Sequence, residues 1–188
     1  MQKDDSIGSL RSVYPVVGSL PPLLRDEVER LSSRVEVRAG NRLFGTGDPA
    51  AVFPFVVSGR VRVARMGREG AEVLLYRLGP GEACALTVAT LLGDDRYPAA
   101  GVAEGRVVLF ALPRAAFLRL VLECEAFRAF VFRGLSRRLA HLMTVVDDVA
   151  FRGIRQRLAS HLLERESPLR TTHQLLAHDL GTRREIVS

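Results

Sequence analysis

The residues best equipped for chemistry crowd toward the end of this chain. Between Thr171 and Ser188, Thr172 can cap a helix whose buried side is Leu175, Leu176 and Leu180, and Gly181 permits a sharp turn. Thr182 can then cap a second helix that opens with Arg183, Arg184 and Glu185. The pattern is that of a helix-turn-helix. Its second helix offers donors and an acceptor at the N-terminal end, where base edges are read.

Other chemistries find less support. Cys84 and Cys124 cannot make a disulfide framework, and without a Cys-x-x-Cys they exclude structural zinc and a four-cysteine iron–sulfur site on one chain. All four histidines (His141, His161, His173, His178) lie beyond residue 140, so no upstream histidine set can hold a metal. No nucleophile, base and orienter stand out together, and no phosphate-cradling glycine loop of the P-loop kind occurs, so an enzyme is not expected.

The 188 residues are 47% hydrophobic and 26% charged, the balance of a soluble globular chain long enough for one sizeable core. The longest uncharged run, Ser12 to Leu24, is too short for a membrane span and carries three prolines. Nothing apolar follows Met1 to Asp5, so a signal peptide is not expected and the cytoplasm is. Basic residues outnumber acidic ones by 27 to 21, and only Lys3 is a lysine. The excess is therefore arginine, suited to bidentate phosphate or guanine contacts, although genome coding composition produces the same bias. Charge alone permits a polyanionic partner.

Several elements must position these residues. Pro21 and Pro22 precede Leu23, Leu24, Val28 and Leu31, the stripe of an amphipathic helix. After Ser33, short apolar runs (Val52 to Val57, Val61 to Ala64, Glu72 to Leu78, Val107 to Leu112) alternate with glycines, and Glu69-Gly70 reads as a hairpin turn. Closely spaced strands of this kind predict an antiparallel roll over roughly residues 34–112. Pro113 opens a short helix with Phe117, Leu118 and Val121. Phe132, Leu135, Leu139, Leu142, Val146 and Val149 then follow a 3-4-3-4-3 spacing, a coiled-coil seam that predicts a homodimer. Phe127, Phe130, Val131 and Val145 remain to pack on the roll. A further helix is expected from about Arg152 to Arg165, with Ile154, Leu158, Leu162 and Leu163 inward and Ser167-Pro168 ending it.

Taken in order, these segments resemble the CRP/FNR transcription regulators. Arg38-Ala39-Gly40 through Gly47-Asp48, Val56 to Val61 and Leu78 to Glu82 are similar to that family's β-roll glycine signatures. Ala150-Phe151, with Arg157 to Ala159 and Leu162-Leu163, resembles its hinge and first DNA-domain helix. Thr172 to Gln174, Leu176-Ala177, Leu180 to Thr182 and Arg184 to Ser188 resemble its helix-turn-helix. The implied fold is α+β: an antiparallel, jelly-roll-like β-roll, a long dimerisation helix and a winged helix-turn-helix cut short. The implied domains are an effector-sensing roll with flanking helices (1–122), a dimerisation helix (123–150) and an incomplete DNA-binding domain (151–188).

The resemblance also implies roles. Arg184 and Glu185 fall where the family reads guanine and cytosine edges, and Thr172 and Gln174 where it contacts phosphates; Arg183 and Ser188 complete the implied DNA-binding set. The family pattern continues past Ser188 with another base-reading arginine and a two-stranded wing, so the DNA-binding surface within this chain is expected to be incomplete.

The implied effector pocket gathers Cys84, Leu86, Thr87, Arg96, Tyr97, Leu142 and Met143. Where cyclic-nucleotide members place a Gly-Glu pair for the ribose, this chain has Ala85-Leu86, and of their Arg-Ser/Thr-Ala trio only Arg96 remains. The helix hydroxyls that meet the base fall on Leu142 and Met143, so cyclic AMP is not the expected effector. Cys84 is either a small buried apolar residue or a thiol sensor or haem ligand. The cofactor and effector are thus unknown. The expected partners are a second copy, double-stranded DNA and RNA polymerase, with no membrane. The rival is a sensor and dimerisation module acting through protein contacts without productive DNA binding.

Overall fold

A computed structural model describes residues 2–67, 72–163, 171–180 and 182–187, without the side chains of 2–7, 148–152, 157, 160 and 178. The chain divides into two compact units, Met1–Ser136 and Arg137–Ser188.

The first unit opens with helices α1 (Gln2–Val13), α2 (Pro15–Gly18) and α3 (Pro22–Leu31). Strands β1 (Ser33–Val37), β2 (Arg42–Phe44), β3 (Val52–Ser58), β4 (Val61–Met66) and β5 (Glu72–Leu78) follow. Helix α4 (Ala85–Gly93), strands β6 (Ala100–Ala103) and β7 (Val107–Pro113), and helix α5 (Arg114–Glu123) complete it before α6 (Glu125–Leu163) begins. All strand pairs are antiparallel, in one sheet of order β1-β7-β3 and another of order β2-β6-β4-β5. The expected α+β roll with flanking helices is therefore present.

Strands β3 and β7 of the β1-β7-β3 sheet are apolar on both faces, whereas β1 is largely exposed. Phe53, Phe55, Phe110 and Leu112 pack among α1–α6, whereas Val56, Val107 and Leu109 join Val61, Val63, Leu78 and Ala103 of the opposite sheet. Alternation sends i and i+2 to one face and i+1 to the other, so two apolar layers make β3 and β7 read as nearly continuous hydrophobic runs. Pro54 is tolerated inside β3 because β3 lies at the edge of its sheet. Two glycines are dictated by close approach. At Gly59 (φ +81°) a Cβ would lie 2.3 Å from the Arg106 carbonyl, and at Gly101 it would lie 2.5 Å from the Phe44 ring.

The helix stripe after Pro22 holds at Leu24 and Val28, which are buried, but Leu23 is exposed: it precedes Leu24 by one residue and so lies about 100° away around the helix. Pro113 stands just before α5 as its N-cap, not inside its first turn. β4 and β5 pair as a hairpin requires, while Glu69-Gly70 lie outside the described residues.

In the second unit α6 continues, followed by α7 (His173–Asp179) and α8 (Arg184–Val187). The expected break before a separate helix at Arg152 is absent: the backbone is helical through Ala150, Phe151 and Gly153 to Leu163. No proline interrupts that stretch, and a single glycine costs only about 1 kcal/mol in a helix. Ile154 and Leu158 are half-buried, but Leu162 and Leu163 are exposed, contrary to expectation. Ser167 and Pro168 lie outside the described residues. Among the described residues, no helix is long and apolar enough to cross a membrane.

Gly101→Ala should push the Phe44 ring from its seat and cost about 1–3 kcal/mol, as overpacked cores do, measurable as a lower urea midpoint with an unchanged slope.

Candidate functional site

The inner end of the roll is built by β2, β5, β6, α4 and the segment after α4. Cys84 is buried and forms the N-cap of α4; Leu86 and Thr87 lie in its first turn, Leu86 half-buried and Thr87 buried. Tyr97 is buried and stacks on Phe44 with ring centroids 4.1 Å apart. Its hydroxyl donates to Thr87 Oγ1 at 2.9 Å. Gly47 N–H donates to the Tyr97 carbonyl and Tyr97 N–H to the Asp48 carbonyl, at 2.8 and 3.0 Å. Arg96 is exposed, and its guanidinium donates to the Gly47 carbonyl at 2.8 Å, fastening the same two segments.

A second phenol completes this end. Tyr76 Oη lies 3.5 Å from Cys84 Sγ and accepts from Leu86 N–H at 3.2 Å. The sequence reading missed it. The available signal was alternation: Tyr76 and Leu78 stand two residues apart in the expected strand Glu72 to Leu78 and so share one face. Glu82, the acid nearest in sequence, turns back to accept from Gly79 N–H at 2.7 Å. Polar groups of this end thus pair with one another: phenol with threonine, phenol with amide and thiol, and one guanidinium donor with a carbonyl. Burial pushes the Tyr97 phenol up to about 12 against the lowering effect of its Thr87 bond. Among the described residues, no three His, Cys, Asp or Glu gather to hold a metal ion.

Leu142 and Met143, the other members of the implied pocket, belong to the second unit, and both are exposed on α6. The seam residues divide as well. Leu135 packs partly on the first core beside Phe127, Phe130 and Val131, whereas Phe132, Leu139 and Val146 are exposed, as is Val145; the Val149 side chain lies outside the described set.

At the chain's end, Thr172 caps α7: its Oγ1 accepts from Leu175 N–H at 3.2 Å. Leu176, Ala177 and Leu180 are buried, but Leu175 is 55% exposed, because it sits one residue off that inward face. His161 Nε2 of α6 lies 3.3 Å from Asp179 Oδ2, within ion-pair range but not aligned as a hydrogen bond. Thr182 N–H donates to the Ala177 carbonyl at 2.8 Å, and α8 begins at Arg184 instead of Arg183. Gln174, Arg183, Arg184 and Glu185 are exposed; Gly181 and Ser188 lie outside the described residues.

Comparison with known proteins agrees with this architecture. Residues 34–124 match the cyclic nucleotide-binding domain family. The cyclic AMP receptor protein of Thermus thermophilus is 32% identical over 154 residues, which span 79% of this chain and 70% of that protein. The chain belongs to the CRP/FNR family of transcription regulators. A global nitrogen regulator of Synechococcus elongatus is 28% identical over 96% of this chain and 83% of its own length. The solved structure of the Thermus thermophilus catabolite activator protein superposes with a TM-score of 0.67 at 30% identity, covering 92% of this chain and 83% of that one.

Two buried phenols, Tyr97 in the roll and Tyr14 between α1 and α2, make stability sensitive to high pH. An unfolded tyrosine ionises near pH 10, while Tyr97 in the fold keeps its proton to about 12, and burial raises Tyr14 in the same direction. The unfolded chain therefore loses protons first, and stability falls as pH rises from about 10 toward 12. Tyr97→Phe should lose about 1–3 kcal/mol at neutral pH by stranding Thr87. It should also show a shallower decline in urea midpoint above about pH 10 than the parent.

Proposed function

We propose that this chain is an effector-responsive, DNA-binding subunit of a homodimer that reads a palindromic site, and that its effector is not cyclic AMP. The observation that carries the DNA reading is the α7–α8 pair: a threonine-capped first helix, a buried inner side, and Arg183, Arg184 and Glu185 exposed where the second helix starts. In this reading Arg184 and Glu185 meet base edges, while Thr172, Gln174, Arg183 and Ser188 serve the phosphates and flanks. Residues 1–122 sense, 123–150 join the subunits and 151–188 begin the DNA-binding domain, with RNA polymerase as the partner of the bound dimer.

Dimerisation is supported by the exposure of Phe132, Leu139, Leu142 and Val146, apolar residues that recur at a and d spacing along one helix. The exclusion of cyclic AMP rests on residue type: the positions that resemble the family's ribose and base contacts are Leu86, Leu142 and Met143, whose side chains offer no hydrogen-bond partner, at about 1–3 kcal/mol for each polar group left unpaired. Tyr76 is already bonded to the Leu86 amide and Tyr97 to the Thr87 hydroxyl, while one Arg96 donor meets the Gly47 carbonyl.

Selection on random duplex DNA with the full-length protein should recover a palindrome with half-sites about one helical turn apart. Arg184→Ala should then cost about 1–3 kcal/mol and relax preference at one base pair per half-site. Equal loss on every sequence, or no palindrome at all, would refute direct readout; the latter result with an intact dimer would favour a sensor module acting through protein contacts.

Leu139→Glu should yield monomers in sedimentation, since it would place unpaired charge in the seam. Calorimetry should find no tight binding of cyclic AMP.

A further inference from the structure

Helix α4 is capped in an unusual way. The first amides of any helix lack partners inside it, and a Ser, Thr, Asp or Asn at the N-cap normally supplies an oxygen. Here the N-cap is Cys84, which has extended backbone (φ −68°, ψ 104°) and makes no side-chain capping bond. The missing acceptor arrives from another element: Tyr76 Oη of β5 takes the Leu86 amide and also contacts Cys84 Sγ. On the other side of the same turn, Ala83 packs against α6 so closely that a Cβ added at Gly134 would lie 3.0 Å from the Ala83 methyl. The neighbouring loop is also held, for Tyr14 donates to the Glu82 carbonyl at 3.0 Å.

We propose that Tyr76 is a borrowed N-cap that holds the first turn of α4 to β5, and that Ala83 seated on Gly134 carries the state of that turn to α6. With its phenol in place, the turn is held without a ligand. Whatever draws β5 or the phenol away uncaps α4 and loosens the seat on α6. Tyr76 is thus a positioning residue. The inference deepens the effector-site reading above and takes its regulatory meaning from it, but its test needs neither DNA nor effector.

Hydrogen exchange on the full chain provides that test. Tyr76→Phe keeps the ring and removes the acceptor, so amides of residues 83–88 should exchange about fivefold faster, the loss of one neutral hydrogen bond. Residues 131–136 of α6 should speed up with them. Adding Cys84→Ser supplies a local cap oxygen and should restore slow exchange in both segments. A second route approaches from α6: Gly134→Ala should speed exchange at 83–88, and Ala83→Gly combined with it should reverse the change. Unchanged exchange at 83–88 in Tyr76→Phe would overturn the cap, and a change confined to 83–88 would overturn the link to α6. Failure to recover a DNA site in the selection above would sink the regulator reading while leaving these exchange results intact.

Discussion

The structure depends on one strand pair, β3 and β7, that is apolar on both faces. The pair gives Phe53, Phe55, Phe110 and Leu112 to the helices and Val56, Val107 and Leu109 to the roll interior, so the same two strands are shared by both cores. On the helical side, Phe53 stacks on Phe117 at 4.9 Å, and Phe127 meets Phe53, Phe55 and Phe117 edge-on at 5.9–6.3 Å. Aromatic pairs of this geometry add about 0.5–1.5 kcal/mol beyond the area they bury. They also fix α5 and the first turns of α6 in direction, which places Gly134 within reach of the loop that leads into α4.

The interior face explains the chemistry of the candidate site. Gly101 leaves room for Phe44, Phe44 seats Tyr97, and the Tyr97 hydroxyl then needs a buried partner, which Thr87 supplies. A polar group left unpaired in such a place costs more than a hydrogen bond gains, so packing and polar pairing were settled together. The same packing that stabilises the roll therefore also sets which polar partner each buried phenol has.

The second unit obeys a different logic. Its helices bury only Leu176, Ala177 and Leu180 among the described residues, while Leu139, Leu142, Met143 and Val146 remain exposed on α6. Apolar area left in water forgoes about 25 cal/mol per Å², and a recurring stripe of it on one helix marks a surface suited to another apolar face. The arginines at the start of α8 stay in solvent, where their guanidinium groups remain hydrated.

Much of this was legible in the residues alone. Glycine-punctuated apolar runs declared the roll, a change to helical spacing at Pro113 declared the helices, and Thr172 declared its cap, because each signal is local: a turn, a period, a hydroxyl three residues before an amide. Burial was less legible. Leu23, Leu162, Leu163 and Leu175 read as inward and are exposed, since periodicity states that a helix has an apolar side but not which residue of an adjacent pair meets a neighbour. The continuous helix through Ala150 and Phe151 was hidden for a related reason: similarity to a hinge does not itself break a helix that lacks proline. What only the tertiary structure decided were the contacts between elements far apart in sequence: Phe44 on Tyr97, Ala83 on Gly134, and the Tyr76 phenol on the Leu86 amide. A residue's type sets which bonds it can make, but its partner is whatever the fold brings within three or four ångströms, and for these pairs that was settled by sheet register and core packing.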